Sequence, residues 1–73
     1  MCGLIAVVNK SNSKFPVDLF RSLLLQARIR GQHATGIAYI TDSLNCVNLS
    51  IPSDKFLLPQ DLYDARVAIG HTR

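Results

Sequence analysis

The stretch Met1-Cys2-Gly3-Leu4-Ile5-Ala6-Val7-Val8 opens the chain and sets the terms for everything after it. Leu4 to Val8 is a continuous apolar run rich in β-branched residues, closed by the polar turn cluster Asn9-Lys10-Ser11-Asn12-Ser13. A run this short, with such boundaries, predicts a strand covered on both faces, near the centre of a sheet. Cys2 then stands at the start of that strand. A cysteine behind the initiator methionine is small enough for aminopeptidases to remove Met1. That exposes a thiol and an α-amine on one residue. A free α-amine titrates near ~8 and a free thiol near ~8.5, so the first can accept the proton of the second. A positioned amine is one recognised activator of a hydroxyl or thiol nucleophile. Taken alone, a second-position cysteine is more often a small buried filler.

Outward from this run the pattern alternates between helix and strand. Pro16 suits a first helical turn, and Asp18 places a carboxylate near a helix N-terminus. Val17, Phe20, Leu23, Leu24 and Ala27 share one face at helical spacing, with Arg21, Gln26 and Arg28 opposite. A helix is expected over about 16–29, with Gly31 as its stop. From Thr35 the period becomes two. Residues 36–41 read as a strand, Asp42-Ser43 as a tight turn and 44–51 as the partner strand, with Cys46 half-buried. Residues 53–64 are ambiguous between loop and short helix, interrupted by Pro59. Residues 65–70 read as another buried strand that delivers His71-Thr72-Arg73 at its end.

At 73 residues the chain is one domain or less, a size at which a single core is marginal. Two cysteines permit at most one bridge, and no secretory signal or long apolar span precedes them. The expectation is a cytoplasmic protein with reduced thiols and no membrane association. No Cys/His spacing suggests a metal site. The net charge of +3 is dispersed along the chain, and its three Phe and two Tyr do not alternate with basic residues. This argues against a nucleic-acid partner. A strand leading straight into three polar residues reads as the opening portion of a larger domain.

Three stretches stand out together: Cys2-Gly3-Leu4-Ile5, the segment Arg30-Gly31-Gln32-His33-Ala34-Thr35-Gly36-Ile37-Ala38, and Ile69-Gly70-His71-Thr72-Arg73. At these residues, in this order, the chain resembles the glutaminase domain of class II glutamine amidotransferases. These are the N-terminal-nucleophile type, found in amidophosphoribosyltransferase, glucosamine phosphate synthase, asparagine synthetase and glutamate synthase. Gln32 is closest to the amidophosphoribosyltransferase-like pattern, while His33 replaces an acidic residue common there. The resemblance implies an α+β fold, with residues 1–73 as the N-terminal portion of a four-layer αββα sandwich.

It also implies roles. Cys2, freed of Met1, resembles the nucleophile that attacks the side-chain amide of L-glutamine, with its own α-amine as general base and then acid. Arg73 resembles the arginine that holds the substrate α-carboxylate, a task suited to the guanidinium fork. Thr72 and His71 flank it as pocket residues, His71 as a wall or hydrogen-bonding group rather than the base. Arg30 resembles the arginine that orders the glutamine pocket. No metal or organic cofactor is implied. The ammonia would pass to a synthase domain or subunit, and an oligomer is expected. The resemblance puts the Asn-Gly oxyanion segment and the amine-recognising aspartate beyond Arg73. Missing oxyanion donors alone can cost ~10²–10³ in rate, so the 73-residue piece by itself is expected to lack useful glutaminase activity. The alternative is a non-catalytic, glutaminase-like interaction module completed by another chain.

Overall fold

The computed structural model describes residues 2–10, 13–30 and 33–73. Strand β1 (Gly3–Val8) is followed by helix α1 (Val17–Ala27), which tightens into a 3-10 turn over Arg28–Arg30. The hairpin β2 (Thr35–Ile40) and β3 (Leu44–Leu49) comes next, then two short 3-10 segments at Ser53–Lys55 and Gln60–Asp64, and finally β4 (Val67–Thr72). The fold is α+β. All strand pairs are antiparallel, and the order is β1-β4-β2-β3. The last strand thus inserts between the first and the hairpin. Gly31, expected to stop the helix, lies outside the described residues, as do Gln32, Ser11, Asn12 and Met1.

One face of this sheet carries the helix. Phe20 and Leu24 from α1 are fully buried against Ile37, Tyr39 and Ala68, as the spacing in the sequence predicts. Phe15 meets Phe20 edge to face, with ring centroids 5.9 Å apart. Two glycines let the layers approach. A Cβ on Gly3 would stand 2.6 Å from Thr72 Oγ1 and 2.9 Å from Ala27 Cβ, and one on Gly70 would stand 2.9 Å from Leu24 Cδ1. Short 3-10 turns, each preceded by a proline in extended conformation, fold residues 53–64 over the rest of the core. There Tyr39 donates its phenolic hydrogen to Asp61 Oδ1 across 2.6 Å.

Several expectations need correction. Among the described strands β1 is an edge, not a centre, and only one of its faces is covered. Ile5 and Val7 turn toward the helix, whereas Leu4 is 75% exposed and Val8 62%. A continuous apolar run shows that both faces avoid charge, but here a single helix supplies a single cover. Cys46 is exposed rather than half-buried, because it projects from the outer strand away from the helix. Strand β4 begins and ends two residues later than expected, so His71 and Thr72 lie within it. No helix among the described residues is long and apolar enough to cross a membrane.

Candidate active site

The pairing brings the three flagged stretches to one end of the sheet. Gly3 pairs with Thr72, and Thr72 pairs with Thr35, so β1, β4 and β2 are in step there. One residue further on, the main chain of Arg73 is tied to β2. Its N–H donates to the Ala34 carbonyl at 2.9 Å, and its own carbonyl accepts from Ala34 at 3.0 Å and from His33 at 2.6 Å. Continuing the β1–β4 register by one residue sets Cys2 alongside Arg73. Two residues far apart in the sequence are thereby brought to the same end of adjacent strands.

The pleat decides which way they face. Alternate residues of a strand project to opposite sides. Gly3, Gly70 and Thr72 are buried under the helix, so Cys2, His71 and Arg73 belong to the opposite, open face. Cys2 and Arg73 are exposed and His71 is half-buried. Thr72 is different: its side chain is 0% exposed, and its hydroxyl donates to the Ala27 carbonyl at 2.7 Å. It ties the last turn of α1 to the strand that carries Arg73.

Arg30 follows from that tie. It ends the 3-10 turn that continues α1, and it lines a cleft of about 360 Å³ together with Cys2, Leu4, Leu23, Gln26 and Ala27. The cleft opens along the free edge of β1, so the thiol is reachable from the helix side as well as from the open face. An accessible sulfur, an arginine at the rim and a second arginine one strand away can receive a ligand with an electrophilic carbon and an anionic end.

Rows of the register divide the open face into two zones. Leu4, His71, Gly36 and Asn48 form one row across the four strands, next to the Cys2–Arg73 end. Further along come Ala6, Ile69, Ala38 and Cys46, and then Val8, Val67, Ile40 and Leu44. The polar side chains of His71 and Asn48 lie at one end, beside an exposed Leu4, and the other end is aliphatic. Sequence reasoning missed Asn48, which sits in the polar zone. Its only signal was membership of the polar alternation in 44–51. It also missed the Tyr39–Asp61 pair, which joins residues 22 apart with no motif to mark them.

No protein-family model, curated protein or solved structure matches the chain.

Proposed function

We propose that this chain is the N-terminal part of a class II glutamine amidotransferase glutaminase domain. The carrying observation is that β1 pairs Gly3 with Thr72 of β4, which brings the segments bearing Cys2 and Arg73 to one end of an open sheet face. The reaction begins with Met1 removed. The Cys2 thiol gives its proton to the α-amine, and the sulfur attacks the side-chain amide carbon of L-glutamine while Arg73 holds the α-carboxylate. The C–N bond breaks as the ammonium proton passes to the leaving nitrogen, releasing ammonia and leaving a γ-glutamyl thioester. Water then adds to the thioester carbon, glutamate departs and the thiol is restored. The ammonia is handed to a synthase partner in a cytoplasmic, oligomeric enzyme.

Within this reading the residues divide their work. Arg30 orders the entrance to the cleft, and His71 forms a wall beside Arg73. Thr72 positions Arg73 through the helix end, since its buried hydroxyl is occupied by Ala27. The bare aliphatic zone, with Leu44 68% exposed, supports a second sheet packing there to complete an αββα sandwich. The same zone is the specific support for a second reading, a non-catalytic module whose sheet is covered by another chain.

Intact-mass measurement of the expressed full chain separates the two. Loss of Met1, with one adduct from a glutamine-analogue electrophile that Cys2→Ala abolishes, is the expected result. Retention of Met1 together with no adduct would sink the enzyme reading and favour the module.

A further inference from the structure

We infer that Asn48 is a specificity-determining residue of this site, one that accepts a hydrogen bond from the α-ammonium of an amino-acid substrate. The inference rests on the glutaminase reading and adds a residue to it. Gly36 lies on the open face of the sheet yet is buried, because the Asn48 carboxamide covers it. A Cβ at Gly36 would collide with Asn48 Oδ1, and no other side chain would obstruct it. The glycine therefore makes room for this one side chain to lie across β2 toward β4. Asn48, Gly36 and His71 line a shallow pocket of about 180 Å³, with Cys46 and Ile69 on its apolar side. Among the described residues neither the Asn48 carboxamide nor the His71 imidazole has a hydrogen-bond partner.

The Asn48 carboxamide offers an acceptor oxygen, the atom nearest Gly36, beside its own N–H donors. That oxygen can take a donor. Arg73 lies two residues along β4 from His71 on the same face, a spacing of about 7 Å. It offers the opposite need, a cation for a carboxylate. An α-amino acid carries both complements on one carbon. With its carboxylate on Arg73, the ammonium is directed to the pocket, within reach of the Asn48 oxygen. The reacting end then points back across β4 toward Cys2. Asn48 lies over β2, two strand spacings (about 10 Å) across from β1 and two residues (about 7 Å) along it from Cys2, or about 12 Å in all. A chain of four bonds of about 1.5 Å, with a hydrogen bond of about 3 Å at one end and an attack distance of about 3 Å at the other, reaches about that far. The resemblance leaves amine recognition to an aspartate beyond Arg73, and Asn48 supplies a second acceptor from the hairpin.

The test compares L-glutamine with its desamino analogue, 4-carbamoylbutanoate, in the full chain. Asn48→Ala, made in Cys2→Ala protein so that no ligand is consumed, is expected to weaken equilibrium binding of glutamine by about tenfold to a hundredfold, the range for losing a hydrogen bond to a charged group. The analogue, which has no ammonium, should be barely affected. Gly36→Ala should reproduce the loss by displacing the carboxamide, and the double variant should be no worse than either single one. Equal losses on both compounds, or no loss on glutamine, would overturn the assignment. Glutamine hydrolysis that survives Cys2→Ala unchanged would instead strike the glutaminase reading, leaving the binding ratio to test Asn48.

Discussion

Thr72 holds the end of helix α1 to the sheet through a 2.7 Å hydrogen bond from its hydroxyl to the Ala27 carbonyl. Ala27 is the last residue of the regular helix, at the point where it tightens into the 3-10 turn, and its carbonyl oxygen has a second lone pair for the Thr72 hydroxyl. The bond therefore anchors the helix end to the sheet at a part-buried point. It also fixes Arg30, three residues on, relative to Arg73, one residue on. Thr72→Val keeps the shape and removes the donor. The expected cost is about 1–2 kcal/mol, read as a lower urea midpoint with an unchanged slope.

Gly3 lies beneath the same helix end. A methyl there would stand 2.6 Å from Thr72 Oγ1 and 2.9 Å from the Ala27 carbonyl oxygen, and the latter is backbone that cannot rotate aside. Gly3→Ala should destabilise by about 1–3 kcal/mol. Gly70→Ala meets the flexible ends of Leu24 and Ile5 and should cost less. Comparing the two by thermal unfolding checks the order, and an equal or reversed ranking would contradict the close approach at Gly3.

How much of this was readable beforehand depends on the range of the interaction. The helix was legible because Val17, Phe20 and Leu24 recur on one face, a pattern contained within eight residues. The hairpin was legible from its period and from Asp42-Ser43. The strand order was not, because pairing Gly3 with Thr72 depends on a contact between the two ends of the chain. Nor was the exposure of Leu4 and Val8, since an apolar run says what a face tolerates and not what covers it. Cys2 and Arg73 were named from motif alone, and only the register makes them neighbours. Asn48 carried no motif, and its place over Gly36 arises from a side chain crossing a strand.

Ser53 presents a defect that can be removed. Its residue is 4% exposed, and its hydroxyl oxygen has no hydrogen-bond partner among the described residues. Burying an unpaired hydroxyl carries a desolvation penalty of about 1–3 kcal/mol. Ser53→Ala deletes the oxygen and keeps the backbone, so stability should hold or rise by about 1 kcal/mol. A clear fall in denaturant midpoint would show that the hydroxyl has a partner.

Tyr39 makes stability depend on alkaline pH. Burial, with the hydrogen bond to Asp61 and the charge of that carboxylate, raises its pKa from 10.0 to about 12. The raised value belongs to the folded protein, whose neutral phenol is favoured. In the unfolded chain the phenol ionises near 10. Below pH 10 both forms hold the proton and nothing is lost. Between pH 10 and 12 the unfolded chain releases it first, so folding stability falls with each step upward, by about 2–3 kcal/mol in all. Tyr39→Phe should remove this component of the alkaline decline. At neutral pH it costs only about 1 kcal/mol, because the exposed Asp61 carboxylate returns to water. Urea titrations of both proteins at pH 8, 10 and 11.5 decide the matter. Parallel curves would mean that the phenol titrates alike folded and unfolded, and that the 2.6 Å contact with Asp61 does not hold its proton.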